Sequence, residues 1–130
     1  MYKRQDKCPV CGMFVYKYPK WITQIVYRDK NRLSFDGVKD MMKFYFNRTK
    51  YGKYEALTKN NISQILVRDY YTQKVIDGKS AYFVVGSDIK GPMGDELIPF
   101  KDESSAKTFL KDHNGKKIIK FSEISTEDLN

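Results

Sequence analysis

The sequence is poor in the residues that most enzymes and zinc modules use. It contains one histidine, two cysteines and four prolines among 130 residues. No apolar run approaches the roughly 18 residues needed to span a bilayer. A nucleophile elbow, a phosphate-binding P-loop, a glycine-rich dinucleotide turn and a His-Glu-x-x-His motif are also missing. Since no pair of carboxylates suggests acid–base chemistry either, we predict that the protein is not an enzyme.

The composition is that of a folded basic domain. Hydrophobic residues make up 41% of the chain and aromatic residues 15%, which is enough for a packed core. The length corresponds to one ordinary domain or to two small halves that share a core. A net charge of +8 is compatible with a nucleic-acid or membrane-surface partner, with a positive face for an acidic protein, or simply with good solubility.

Both cysteines lie in one short stretch, Cys8-Pro9-Val10-Cys11-Gly12-Met13. Thiolate and thioether are soft ligands, and together they suit Cu(I) better than Mg²⁺ or Ca²⁺. Gly12 allows a sharp turn, so that the sulfur atoms of Cys11 and Met13 can point at one ion. A further candidate, Met93, lies in the loop Lys90-Gly91-Pro92-Met93-Gly94, where a methionine has no core to fill.

A Cys-x-x-Cys pair has two other common uses. A zinc site needs two more ligands at suitable spacing, and His113 is the single histidine, so zinc would require carboxylates or a dimer. A redox pair normally follows a strand and opens a helix, whereas Gly12-Met13-Phe14 leads towards strands. In an exported protein the two cysteines could still close reversibly into a disulfide that prevents metal binding. His113 has an ordinary explanation, since a histidine at a helix end is favoured by the helix dipole.

Periodicity predicts the secondary structure. Asp36 and Asp102 are predicted N-caps of two helices, each with apolar residues on one face, and 47–61 is predicted as a polar connector. The predicted strands are Trp21–Tyr27, Leu33–Phe35, Ile62–Arg68, Ala81–Val85, Leu97–Phe100 and Lys117–Phe121.

The order of these elements repeats. Phe35, Val38, Met41 and Phe44 match Phe100, Glu103, Ala106 and Phe109 at one constant spacing. Each half reads strand–strand–helix–strand, and the second half carries extra residues around Gly-Pro-Met-Gly, a natural place for function. We therefore predict an α+β fold of two similar ββαβ units packed together. The predicted segments are 1–20 (tail and metal-binding segment), 21–69 (first unit), 70–80 (linker), 81–124 (second unit) and 125–130 (tail).

An ordered set of short motifs gives the chain a family resemblance. The set consists of Cys11-Gly12-Met13, the strand that begins at Trp21, Phe35-Asp36, Val67-Arg68-Asp69-Tyr70, Val75-Ile76-Asp77, Ala81-Tyr82-Phe83-Val84 and Gly91-Pro92-Met93-Gly94. In this order they resemble NosL, the copper-handling accessory protein of nitrous oxide reductase. The resemblance covers roughly residues 8–124 and implies the same pair of ββαβ units.

The resemblance also implies a function and a ligand set. NosL proteins bind Cu(I) and act as metallochaperones, so we expect a copper ion as cargo and an acceptor copper enzyme as partner. The family's Cys-Gly-Met ligands fall on Cys11 and Met13, and the methionine of the Gly-Pro-Met-Gly loop falls on Met93. Cys8 has no assured counterpart and is a further donor, a redox partner of Cys11 or a bystander.

The expected location also follows from the resemblance. The first seven residues are polar and form no signal peptide, which taken literally indicates the cytoplasm. NosL proteins are usually exported lipoproteins, so we expect a periplasmic protein whose membrane contact is only a lipid anchor absent from this sequence.

The alternative function is that of a small basic module that is zinc-stabilised or binds nucleic acid through the aromatic and basic stretch at 43–54. No recognised nucleic-acid module accompanies that stretch, so nucleic-acid binding is not expected.

Overall fold

The computed structural model describes residues 4–51 and 59–129 of the chain. Residues 1–3 and 130 of the predicted tails, and 52–58 of the predicted connector, lie outside the described residues. The first half contains β1 (Thr23–Tyr27), β2 (Arg32–Phe35), α1 (Val38–Phe46), β3 (Ile62–Arg68) and β4 (Val75–Asp77). The second half contains β5 (Tyr82–Val85), β6 (Lys90–Gly91), β7 (Gly94–Asp95), β8 (Ile98–Phe100), α2 (Glu103–Asp112) and β9 (Lys117–Lys120). None of the helices within the described ranges is long and apolar enough to cross a membrane.

The two halves share one topology, which confirms the predicted pair of ββαβ units. In the first half β1 lies between β2 and β3 and pairs with both in antiparallel orientation. In the second half β5 lies between β8 and β9 in the same antiparallel arrangement. The opening strand of each unit is therefore central. All five residues of β1 are buried, as expected for a strand covered on both faces.

The aromatic core repeats along with the strands. Phe35 at the end of β2 contacts Phe44 on α1, with ring centroids 5.5 Å apart. At the matching positions of the second unit, Phe100 contacts Phe109 at 5.1 Å. All four rings are fully buried. In each unit a strand-end aromatic side chain thus fixes the helix against the sheet.

Two details differ from the sequence prediction. The segment 70–80, predicted as a linker, contains β4, which pairs with β3 and extends the first sheet to four strands. The predicted strand over Trp21–Tyr27 begins at Thr23, because Trp21 lies in the preceding turn and packs on Tyr70. The division of the chain into segments at the predicted bounds remains a prediction.

The two units are joined by backbone contacts and by a common core. The Tyr70 amide donates to the Pro99 carbonyl at 3.0 Å, and the Lys101 amide donates to Asp69 Oδ2 at 2.9 Å. The larger core cluster contains α1 and β1 side chains together with Phe83 and Leu97 of the second unit. The start of α1 therefore lies beside the segment that precedes β8.

Candidate metal centre

The two cysteines lie on a closed backbone turn. The Cys8 amide donates to the Met13 carbonyl at 2.9 Å, and the Gly12 amide donates to the Cys8 carbonyl at 2.8 Å. Gly12 has φ +78°, in the left-handed region that a residue without a side chain adopts most easily. The sharp turn expected at Gly12 is present, and it brings Cys11 back beside Cys8.

Two aspartates from the start of α1 complete the cluster. Cys11 Sγ donates to Asp36 Oδ2 at 2.9 Å, and Cys8 Sγ lies 3.7 Å from Asp40 Oδ2. The donor atoms of these four side chains all lie within 4.8 Å of one another. Within residues 4–51 and 59–129 this is the one group of three or more Cys, His, Asp or Glu side chains with donor atoms this close. Cys8, Asp36 and Asp40 are buried, and Cys11 is half-buried.

Burial sets the charge of the cluster. It raises the pKa of Cys8 to about 11. It also raises the pKa of Cys11, and the hydrogen bond to Asp36 raises that pKa further. The pKa of Asp40 is raised by burial and by the neighbouring Asp36 carboxyl. Both cysteines are therefore thiols at neutral pH in the metal-free protein.

Backbone amides near the two sulfur atoms oppose the rise in the pKa of the cysteine thiols. The amides of Cys11, Asp36 and Val10 hydrogen-bond towards the Cys8 sulfur and lower its pKa. The Met13 amide does the same for Cys11. These donors stabilise a thiolate, so the turn is suited to holding both sulfur atoms in the charged form that a metal requires.

The donor set fits a soft or borderline cation. Two thiolates bind Cu(I) or Zn²⁺, whereas carboxylates bind Zn²⁺ but are poor partners for Cu(I). Asp36 Oδ1 is buried and has no hydrogen-bond partner in the part of the chain that the structure describes. An acceptor left without a partner in a buried site is costly, and a cation or its bound water would satisfy it.

The predicted methionine ligands lie on two separate segments, the cysteine turn and the β6–β7 hairpin. Met13 is half-buried and follows Cys11 in the turn. Met93 lies at the turn between β6 and β7 and is 44% exposed, as predicted for a residue outside the core. Its carbonyl accepts a hydrogen bond from Lys39 Nζ at 2.9 Å, which ties the hairpin to the first turn of α1. The role of Cys8, Cys11, Met13 and Met93 as metal ligands remains a proposal.

The aspartates of the cluster were missing from the predicted site. Asp36 was predicted as an N-cap, but Gly37 occupies that position, and the Asp36 side chain turns to Cys11 instead. Asp40 lies four residues later and therefore on the same side of the helix start. That spacing was visible in the sequence, yet nothing local indicated that the cysteine turn would pack against it.

His113 takes no part in the cluster. It follows α2, stacks on Phe109 at 4.4 Å between ring centroids and contacts Asp88 Oδ1 at 2.9 Å through Nδ1. Its position at the helix end agrees with the role predicted from the helix dipole. Asp36 and Asp40 supply the carboxylates that a zinc site in this chain would need, and His113 is not among the four side chains of the cluster.

Comparison with known proteins places the chain in a family. The NosL family model matches residues 1–129. The copper-binding lipoprotein NosL of Stutzerimonas stutzeri is 29% identical over 119 residues, which cover 92% of this chain and 62% of that protein. The chain thus spans less than two thirds of the length of this curated relative.

Two solved structures share the fold. The crystal structure of the copper chaperone NosL from Shewanella denitrificans aligns with a TM-score of 0.79 and 20% identity, covering 98% of this chain and 95% of that one. The solution structure of apo-NosL from Achromobacter cycloclastes aligns with a TM-score of 0.57 and 22% identity, covering 82% and 87%. The match of the family model over almost the entire sequence shows that the chain belongs to the NosL family.

Proposed function

We propose that this protein is a Cu(I) metallochaperone that binds the ion through sulfur donors and passes it to a copper enzyme. The observation that carries the proposal is the convergence of Cys8 and Cys11 in one buried cluster at the start of α1. Two of the similar proteins support it, since their names describe a copper-binding lipoprotein and a copper chaperone. The proposed ligands are Cys11 and Met13, with Met93 and Cys8 as further donors.

Copper loading replaces protons on the sulfur atoms. Because burial keeps the pKa of Cys8 near 11 and raises that of Cys11, the ion must displace thiol protons when it binds. Affinity for Cu(I) therefore increases with pH. The backbone amides that point at the two sulfur atoms stabilise the resulting thiolates, and the excess negative charge is reduced by the bound cation.

Delivery requires that an acceptor can reach the ion. Cys8 is fully buried, whereas Cys11 and Met13 are half-buried and Met93 is exposed. An incoming donor can therefore reach the accessible ligands and bind the ion before an outgoing ligand leaves. The protein's part is thus binding and ligand exchange, without catalysis on a substrate.

The acceptor and the compartment are proposed from the family. NosL resemblance indicates nitrous oxide reductase as the acceptor and denitrification as the process. The relative from Stutzerimonas stutzeri is named a lipoprotein, and we propose that this protein likewise works in the periplasm as a lipid-anchored chaperone. The net charge of +8 favours docking on an acidic face of the acceptor.

A competition titration tests the proposal. Reduced, anaerobic protein is titrated with Cu(I) against a chromophoric chelator, and the experiment is repeated with Cys11→Ser and Met13→Ala. We expect tight binding with a thiolate charge-transfer band that Cys11→Ser removes. Failure of the unaltered protein to compete with the chelator contradicts the proposal.

Zinc is a second candidate ion, because two thiols and two carboxylates form a four-donor set. The same titration with Zn²⁺ separates the two ions. A marked rise in melting temperature with Zn²⁺, together with no preference for Cu(I), would indicate that the centre is structural. Asp36→Asn and Asp40→Asn should weaken zinc binding without weakening sulfur-only Cu(I) binding.

A further inference from the structure

Two hydrogen bonds from one residue join the first turn of α1 to the β6–β7 hairpin and the residue that follows it. The Lys39 amide donates to Glu96 Oε1 at 2.6 Å, and the Lys39 side chain donates through Nζ to the Met93 carbonyl at 2.9 Å. One residue of the first unit thus binds two points of the second unit. These points are the turn that carries Met93 and the residue that follows the hairpin.

Glu96 is held firmly in this position. Its Oε1 also accepts the Leu97 amide at 3.0 Å, and its side chain is almost completely buried. Gly37 leaves room for the carboxyl, because a Cβ there would lie 2.1 Å from Glu96 Oε2. The carboxyl oxygen also satisfies the Lys39 amide, which belongs to the first helical turn and has no acceptor within the helix.

Lys39 is placed in an unusual way for a lysine. It is only 9% exposed, although lysine side chains normally remain in water. Holding an ammonium group at a backbone carbonyl of another unit costs solvation and side-chain entropy. A contact of this kind is well suited to fixing where the Met93 turn lies.

The start of α1, which contains Lys39, also contacts the cysteines. Asp36 and Asp40 flank Lys39 and contact Cys11 and Cys8. The helix start therefore contacts both the thiol pair and the methionine hairpin. Any shift of the hairpin relative to this helix start changes the distance between Met93 and the thiols.

We propose that Lys39 and Glu96 are positioning residues that clamp the Met93 hairpin to the start of α1, so that the Met93 sulfur is held where it can share a Cu(I) ion with the cysteine turn. This inference rests on the proposed function. Neither residue touches the ion, and both act through Met93. A purely structural role for the pair would stabilise the fold without any dependence on the Met93 sulfur.

A double-mutant cycle on Cu(I) affinity separates these roles. Met93→Leu removes the sulfur and keeps the side-chain volume. Lys39→Met removes the ammonium group and keeps the apolar stem. Glu96→Ala removes the carboxyl, and Glu96→Gln restores an Oε1 acceptor for both amides. Lys111→Met, on the exposed face of α2, is the matched control for loss of one positive charge.

We expect Met93→Leu and Lys39→Met each to weaken Cu(I) binding about tenfold, which is the effect of losing one modest interaction. The double variant should bind no more weakly than Met93→Leu alone, and Glu96→Gln should bind like the unaltered protein. A purely electrostatic effect would strengthen Cu(I) binding in Lys39→Met, because removing the positive charge of the lysine reduces its repulsion of the bound Cu(I) ion. Copper-edge X-ray absorption should show one fewer sulfur neighbour in Lys39→Met and in Glu96→Ala.

The other outcomes overturn the proposal. They are an unchanged affinity in Lys39→Met, an unchanged affinity in Met93→Leu, or equal weakening by Lys39→Met in the presence and absence of the Met93 sulfur. If Glu96→Ala does not fold, the Lys39→Met cycle decides. If the unaltered protein binds Cu(I) tightly in any of these cases, only the positioning role is contradicted and the proposed chaperone function is unaffected. If the unaltered protein does not bind Cu(I) tightly, both proposals are contradicted.

Discussion

Cys11 donates a hydrogen bond through its thiol to Asp36 Oδ2 across 2.9 Å. The two residues come from the N-terminal turn and from the chain just before α1, so this contact docks the cysteine turn on the first unit. A negative carboxyl at this distance disfavours a thiolate, and it contributes to the raised pKa of Cys11. The metal-free centre is therefore kept in a protonated and unreactive form.

Substitution Asp36→Asn should lower the pKa of Cys11, because the negative charge is lost and the amide can donate to a thiolate. We expect faster alkylation of Cys11 by iodoacetamide at pH 8, measured in a Cys8→Ser background so that one thiol is followed. Asp112→Asn, on the exposed side of α2, is the control and should leave the rate unchanged. A slower reaction in Asp36→Asn would contradict this account of the centre.

Asp69 joins the two units through backbone amides. Its Oδ1 accepts from Tyr71 and Thr72, each at 2.9 Å, and its Oδ2 accepts from Lys101 at 2.9 Å. Asp69→Ala leaves these three donors without their acceptor and should lower the free energy of unfolding by about 2–4 kcal/mol. Asp69→Asn keeps one oxygen acceptor and should cost less. Urea unfolding of both variants checks this order, and equal losses would show that the oxygen acceptor kept in Asp69→Asn does not stabilise the fold.

Gly37 permits the close approach of Glu96. A Cβ at this position would lie 2.1 Å from Oε2 and 2.9 Å from the carboxyl carbon, so the carboxyl must move in Gly37→Ala. We expect a loss of about 1–3 kcal/mol in the free energy of unfolding, as for other overpacked sites. The double variant Gly37→Ala with Glu96→Ala should lose less than the sum of the single variants. Additive losses would show that the two residues do not interact.

The Glu96 carboxyl should make stability depend on pH. Burial raises its pKa from an ordinary 4.5 to about 8, although the amides of Lys39 and Leu97 act in the other direction. The charged groups around it are Lys39 and Asp40 on α1, and Lys90, Asp95, Lys116, Lys117, Glu127 and Asp128 around the open cavity on its other side. At pH 6–7 the folded protein therefore keeps a proton that the unfolded chain releases.

The sign of the effect follows from this difference in bound protons. Stability should fall as the pH rises from about 4.5 to about 8, by at most about 1.4 kcal/mol per pH unit, and should level off above that range. Glu96→Gln has no such proton, so the difference between its unfolding free energy and that of the unaltered protein should grow over the same window. Glu103→Gln is the control on an exposed helix position. Parallel pH profiles for the unaltered protein and Glu96→Gln would contradict the raised pKa.

The sequence predicts elements with strong local patterns and misses contacts that depend on the packing of distant segments. The helices, the central strands and the repeat of the two units follow from periodicity and from turn residues, and the exposed position of Met93 follows from its Gly-Pro flanks. Asp36 fits the local pattern of an N-cap equally well. Its true partner is Cys11, which lies across the fold, so no local pattern could identify it.

The short strand β4 was missed for a similar reason. Val75–Asp77 is only three residues long and lies among turn residues, so its own propensity indicates a linker. It is a strand because β3 offers a free edge beside it. Glu96 likewise looks like a solvated loop residue in the sequence, and only the docking of the hairpin on α1 explains its burial.

Copper-edge X-ray absorption on the protein loaded with one Cu(I) tests most directly whether sulfur donors hold the ion. The proposal predicts a first shell of two or three sulfur neighbours without oxygen or nitrogen, and loss of one sulfur in Cys11→Ser. A first shell dominated by oxygen or nitrogen, or a spectrum unaffected by Cys11→Ser, would contradict the assignment of the cysteine turn as the copper site.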